Sequence, residues 1–180
     1  MDQAAVDAAI LLHTIIDVPG YPRPGIVFKD ITPLLADPIA LAKVVQAMAD
    51  PFKGRIDKVA GIEARGFILA PLLAARLGTG FVPLRKAGKL PRATWSENYE
   101  LEYGQATLEV HRDAFAPEEN VLIVDDVLAT GGTAAAALRL VERAGAVPSG
   151  FTALLDLGLL PGRGVLTGIH AHILHTLAVA

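Results

Sequence analysis

The sequence of 180 residues contains no cysteine, which excludes disulfides, thiolate metal sites and thiol nucleophiles. A basic excess is missing too. Lysine and arginine number 16 against 19 acids, a net charge of −3, whereas a general nucleic-acid binder carries surplus cations along one face. No uninterrupted apolar stretch approaches the roughly 18 residues of a membrane span. The amino end, Met1-Asp2-Gln3-Ala4, has no basic segment ahead of an apolar run. These absences predict a cytoplasmic protein with neither nucleic acid nor membrane as partner. Charge of either sign is sparse at 19%, while hydrophobic residues reach 52%. That is ample for one core in a single domain, with an apolar surplus that a homodimer would cover.

The most informative stretch runs from Val121 to Thr133. Val121-Leu122-Ile123-Val124 has no polar alternation, which predicts a strand buried on both faces at the centre of a parallel sheet. Asp125 and Asp126 follow where that strand ends. Ala129-Thr130-Gly131-Gly132-Thr133 then offers backbone N–H groups that can converge on an anion with few Cβ atoms in the way. Residues 134–143 are strong helix formers, so the helix N-terminus aims at the same spot, with Thr133 as its cap. No Lys-Ser/Thr pair follows the glycines and the G-x-G-x-x-G spacing is absent, which argues against triphosphate hydrolysis and dinucleotide binding.

Buried strand, acid pair and Ala-Thr-Gly-Gly-Thr together resemble the phosphoribosyl pyrophosphate (PRPP) signature of type I phosphoribosyltransferases. The resemblance implies that Asp125 and Asp126 hold the ribose hydroxyls and that Ala129, Thr130, Gly131, Gly132 and Thr133 hold the 5-phosphate. Two anions beside a ribose that becomes cation-like would favour the transition state over the ground state.

Earlier in the chain, Val6, Ala9, Ile10, Leu12 and Ile16 recur at helical intervals, predicting an amphipathic helix over residues 2–16. The prolines and glycine of 17–24 predict a stiff irregular connection. Residues 24–35 read as an edge strand entering a turn in which Asp30 and Thr32 satisfy local backbone groups. This stretch resembles the amino-terminal hood of adenine phosphoribosyltransferases, in which backbone near Val27 reads the base edge and Phe28 stacks on adenine. Lys29 stands where many relatives have arginine and lacks the planar fork.

A helix is expected over 39–52 with Pro38 at its first position, then a strand over 57–62 ending at Glu63-Ala64-Arg65-Gly66 and a helix over 67–77 stopped by Gly78. Alone, Glu63 and Arg65 would make a surface ion pair. Gly-Ile-Glu-Ala-Arg-Gly-Phe resembles the pyrophosphate loop of the same family, which implies that Arg65 meets pyrophosphate and that a cis peptide lies near Glu63-Ala64. A strand over 81–84 leads to Arg85, Lys86 and Lys89, three cations within five residues. By itself this is a solvated turn; the match to the family's Arg-Lys-x-Gly-Lys-Leu-Pro implies a phosphate clamp shared across a dimer interface.

Residues 92–103 read as a long mobile excursion, and a loop of that length is usually functional. A lid there would keep water from the reacting ribose. At its base Glu102 is the candidate to accept the adenine proton, beside Tyr103. Residues 105–110 predict an outward strand with His111 capping the hairpin, and 149–155 another apolar strand. Asp156-Leu157 and the residues to Arg163 resemble the carboxyl-terminal hood loop, with Asp156 where relatives carry glutamate. His170, His172 and His175 fit strand positions without a neighbouring carboxylate, a structural set rather than a metal patch.

Alternating strands and helices predict a mostly parallel twisted sheet flanked by helices, with ligand at the strand carboxyl ends. The hood would comprise approximately 1–35 and 156–180 and the core 36–155. The resemblance implies transfer of phosphoribose from PRPP to adenine, giving AMP and pyrophosphate in purine salvage. It also implies Mg2+ held by PRPP oxygens and water rather than by protein ligands. The rival readings are a transferase for 6-oxopurines and a non-catalytic PRPP-sensing regulator.

Overall fold

The computed structural model describes residues 14–100, 104–158 and 162–176, with backbone alone for the last three. Parallel strands β3 (Lys58–Ile62), β7 (Asn120–Val124) and β9 (Val147–Asp156) form the middle of the main sheet. Their apolar runs follow from being covered on both faces. Val59, Leu122, Val124 and Leu154 point to one side, where α2 (Pro38–Ala49) and α3 (Gly66–Leu77) pack through Val44, Met48, Leu69 and Leu73. Ala60, Ile62, Val121, Ile123 and Phe151 point to the other, against Ala136, Ala137 and Leu140 of α4 (Gly132–Arg143).

From one side to the other the sheet runs β10 (His170–Thr176), β9, β7, β3, β4 (Gly80–Lys86), β6 (Gln105–His111) and β5 (Thr94–Glu100), with the short β8 (Val127–Leu128) also paired to β9. β4 joins β3 in parallel, and the antiparallel hairpin of β5 and β6 extends that side. After β3 the chain winds one way to β4, then returns to build β7 on the other flank. The order reverses between β3 and β7, and a crevice at such a switch point is where ligands bind in open α/β sheets.

Local chemistry accounts for the helix limits. Asp37 accepts from the Ile39 and Ala40 N–H groups at 2.8 and 3.1 Å, with Pro38 at the first helical position of α2 as expected. Gly78, at φ +71°, ends α3. A short helix α1 (Thr32–Ala36) precedes α2 and was not foreseen. β1 (Ile16–Pro19) pairs antiparallel with β2 (Val27–Asp30) in a separate two-stranded sheet. A strand therefore occupies the last residue of the predicted first helix and the start of the predicted irregular connection; Thr14 is helical, and residues 2–13 of that helix lie outside the described residues. Pro19 at the strand end donates nothing and is tolerated there.

Two further expectations change. Residues 94–100 are an ordered edge strand rather than part of a mobile excursion, and Thr94 to Glu100 pair one for one with His111 to Gln105. His111 ends β6 at the open end of the hairpin, away from the turn it was expected to cap. The His-bearing strand β10 (His170–Thr176) pairs with β9, so this part of the stretch assigned to the hood lies in the main sheet. Among the described residues no cluster of three or more metal-ligating side chains occurs, and no helix is long and apolar enough to cross a membrane.

Candidate active site

Two loops leave adjacent strands at the switch point. After β3 the chain passes Glu63, Ala64 and Arg65 into α3, and the Glu63-Ala64 peptide is cis. After β7 it passes Asp125 and Asp126 towards the glycine turn. The loops abut through main chain: a Cβ on Gly66 would lie 2.8 Å from the Val124 carbonyl and 3.3 Å from Asp125 Oδ1. Any side chain there would force the strand ends apart.

Arg65 joins the two loops. Its Nε lies 2.5 Å from Asp126 Oδ2, and its guanidinium carbon is 4.9 Å from the Phe28 ring centroid. The Asp126 contact is an ion pair without hydrogen-bond alignment, which leaves Oδ2 of a residue only 4% exposed without a directed donor among the described residues. Asp125 Oδ1 accepts the Asp126 N–H at 2.9 Å. Burial raises the Asp125 carboxyl well above its ordinary value, and the neighbouring Asp126 charge adds to the rise. Burial also raises Asp126, with Arg65 opposing.

The glycine turn forms a small cradle of about 70 Å³, lined by residues 127–134 together with Asp125 and Phe151. That volume holds several water-sized spheres, the scale of a tetrahedral oxyanion. Gly131, at φ +85°, is the residue before α4, and a Cβ on it would stand 2.8 Å from the Gly162 carbonyl. Glycine is required there on both counts. The helix begins at Gly132 with no side-chain cap, so Thr133 lies inside its first turn rather than capping it. The 3₁₀ turn Gly162–Leu166, which supports the cradle through Gly162 and Val165, was missed in the sequence because its contact is a backbone approach without a motif.

Glu63 organises the cations. Its carboxylate accepts from Lys89 Nζ at 2.6 Å and from the Lys86 N–H at 2.9 Å, and Arg85 Nε lies 3.5 Å away. Burial pushes Glu63 up, but the Lys89 and Lys86 hydrogen bonds and the Lys89 and Arg85 charges hold it below its ordinary value. The Arg85 guanidinium also donates to the Lys89 carbonyl at 2.9 Å. Two of the three clustered cations are thus tied to Glu63. The Lys86 ammonium is exposed and has no carboxylate partner among the described residues.

Phe28 meets Tyr21 edge-on at 5.2 Å and carries Arg65 over its face, while Val27 is 47% exposed beside it. Lys29 is turned to Asp17 on the paired strand, at 2.7 Å from both carboxylate oxygens. Asp156 is buried, accepting from the Gly158 N–H at 2.8 Å and from Arg163 Nε at 2.5 Å; Leu157 donates its N–H to the Leu128 carbonyl at 2.9 Å. Glu102 and Tyr103 lie outside the described residues.

The model of the phosphoribosyl transferase domain matches residues 30–156, from the end of β2 to the end of β9. The adenine phosphoribosyltransferase of Thermobifida fusca is 55% identical over 174 residues, spanning 96% of this chain and 99% of that one. The crystal structure of the Rhodothermus marinus adenine phosphoribosyltransferase superposes with a TM-score of 0.90 at 50% identity, covering 96% and 99% of the two chains. The Saccharomyces cerevisiae enzyme, crystallised with adenine and an imino-altritol bisphosphate, gives 0.89 at 39% identity over 95% and 99%. With strand order, paired loops and near full-length likeness in agreement, this chain belongs to the phosphoribosyl transferase family, among the adenine phosphoribosyltransferases.

Proposed function

We propose that this protein transfers the 5-phosphoribosyl group of PRPP to adenine, forming AMP and releasing pyrophosphate, a purine-salvage reaction. The observation that carries the reading is the meeting, at one switch point, of an anion cradle, an acid pair with Asp126 buried and Asp125 half-buried, and a cationic loop. In the transfer the bond from C1 to the pyrophosphate oxygen breaks, the bond from C1 to the purine nitrogen forms, and the nitrogen loses a proton.

The amides and hydroxyls of Ala129, Thr130, Gly131, Gly132 and Thr133 hold the 5-phosphate at the start of α4. Asp125 and Asp126 accept from the ribose hydroxyls and stabilise positive charge on the ring. Arg65, with Lys86, Arg85 and Lys89, receives the pyrophosphate, and Glu63 and Ala64 shape that loop. Phe28 stacks on the base, Val27 backbone reads its edge, and Asp156 with Leu157 closes the far side. Glu102, next to Tyr103, accepts the proton. Lys29 contributes by pinning β2 to β1 through Asp17.

The acid pair, with one Asp126 oxygen lacking an aligned donor among the described residues, suits a hydrated Mg2+, which Asp125 and Asp126 would hold through water. When bound, Mg2+ neutralises the leaving pyrophosphate. A homodimer is part of the reading: Ile39, Ile68 and Leu72 leave apolar surface exposed on α2 and α3.

The test is an assay of the purified chain with PRPP, Mg2+ and one purine at a time. AMP from adenine is expected; faster turnover of hypoxanthine or xanthine would defeat the substrate assignment. Asp126→Asn should lower kcat on the order of 10²-fold or more. No AMP from wild type would favour the sensor instead.

A further inference from the structure

The carboxyl end of β9 and the 3₁₀ turn Gly162–Leu166 enclose the start of the phosphate cradle from two sides. On the β9 side, Leu128 is paired with Asp156, and its carbonyl accepts the Leu157 N–H at 2.9 Å. On the other side main chain meets main chain. A Cβ on Gly162 would stand 2.5 Å from the Ala129 carbonyl, and one on Gly131 would stand 2.8 Å from the Gly162 carbonyl and 2.9 Å from Val165. The position of Gly162 therefore sets that of two cradle residues.

Two kinds of contact hold that turn. Leu166, 5% exposed, and Val165 pack on the core. Apolar burial is non-directional, so it fixes the depth of the turn better than its rotation. Arg163, next to Gly162, supplies a directed contact: its Nε lies 2.5 Å from Asp156 Oδ2, on a side chain 2% exposed. The other Asp156 oxygen accepts the Gly158 N–H at 2.8 Å. A carboxylate so enclosed requires a charged partner, and among the described residues Arg163 is the one in contact with it. With both oxygens engaged and the side chain sealed from solvent, the carboxylate serves the turn; closing the far side of the base is left to the Asp156 main chain and Leu157. None of these contacts involves residues 159–161, which lie outside the described residues.

We propose that Arg163 is a positioning residue for the 5-phosphate site. Tied to Asp156, it holds the Gly162 main chain against Ala129 and Gly131 and so keeps the cradle in the shape that takes a phosphoryl group. The inference rests on the transferase reading given above. The 5-phosphate is held alike in substrate and transition state, so a loosened cradle raises KM and leaves kcat at saturation nearly unchanged. A residue that only stabilised the fold would behave otherwise, thinning the active population and lowering kcat at constant KM.

The experiment compares Arg163→Ala, Arg163→Lys and wild type in steady-state kinetics with adenine and PRPP, and in AMP binding by calorimetry. Arg163→Ala should raise KM for PRPP and the Kd for AMP about tenfold or more, equivalent to about 1.4 kcal/mol of binding. KM for adenine, and kcat at saturating PRPP, should stay within about threefold, a change below about 1 kcal/mol. Arg163→Lys, which keeps the charge and a donor, should recover most of the loss. A smaller rise in either constant, a loss taken in kcat, or a lysine variant no better than alanine overturns the proposal. Should Arg163→Ala not fold, Asp156→Asn is held to the same limits, since it keeps an oxygen for the Gly158 N–H and removes the charge that seats Arg163. A rise in its adenine KM greater than that in its PRPP KM would return the acid to the base and likewise overturn the proposal. Active wild type with indifferent variants defeats this proposal alone; inactive wild type defeats the transferase reading and this inference with it.

Discussion

Asp125 and Asp126 are neighbouring carboxylates placed where water solvates them poorly, and among the described residues one guanidinium, that of Arg65, pairs with Asp126 alone. Their raised folded-state pKa values mean that the native protein retains protons the unfolded chain has released. The sign follows: their stabilising contribution is full below the ordinary carboxylate value of 3.8 and is lost as pH rises to the raised folded values. Glu63 behaves oppositely, contributing above its ordinary 4.5 and losing that contribution as pH falls through its lowered folded value. Asp125→Asn keeps an oxygen for the Asp126 N–H and removes one charge. We expect a higher melting temperature at pH 7, about 2–4 °C for each kcal/mol gained, with the gain vanishing towards pH 3 and activity falling sharply. Calorimetry at both pH values measures it. At this scale the acid pair, glycine turn and cationic loop were legible because each is contiguous. The pairings Asp17–Lys29 and Asp156–Arg163 were not: which cation a carboxylate meets depends on how hairpin and turn fold.

Helix α4 and the turn before it carry the largest demand on backbone geometry near the site. Gly131→Ala must place a Cβ at φ +85° and beside the Gly162 carbonyl, a strain of about 1–3 kcal/mol. That strain falls on the cradle, so KM for PRPP and the Kd for AMP should each rise about tenfold while KM for adenine changes little. Steady-state kinetics and AMP titration separate the two. The β1–β2 hairpin shows the reverse pattern. Asp17→Asn unties Lys29 and loosens the strand bearing Val27 and Phe28, so adenine KM should rise with AMP phosphate contacts unaffected. Elements with strong periodicity or caps, such as α2 and β7, were readable from the sequence. β5 was not, because an edge strand covered by arginines has polar residues where a buried strand would have aliphatics.

Across the molecule, the two apolar layers on either side of the sheet account for most of the 52% hydrophobic content, and the exposed Ile39, Ile68 and Leu72 are surplus to them. Sedimentation equilibrium should find twice the 18.9 kDa chain mass at micromolar concentration, and Ile68→Glu with Leu72→Glu should shift it towards the single chain. The mostly parallel sheet was legible from the alternation of elements, whereas the reversal between β3 and β7 required knowing which strands become neighbours. The bare main-chain abutment of Gly66 against Val124 has a practical corollary for redesign. In the transferase reading proposed above, the sugar and diphosphate subsites would share a wall one backbone thick there, so neither could be enlarged alone. A library seeking other nucleobases therefore belongs in residues 17–30 and 157–158, leaving that partition untouched.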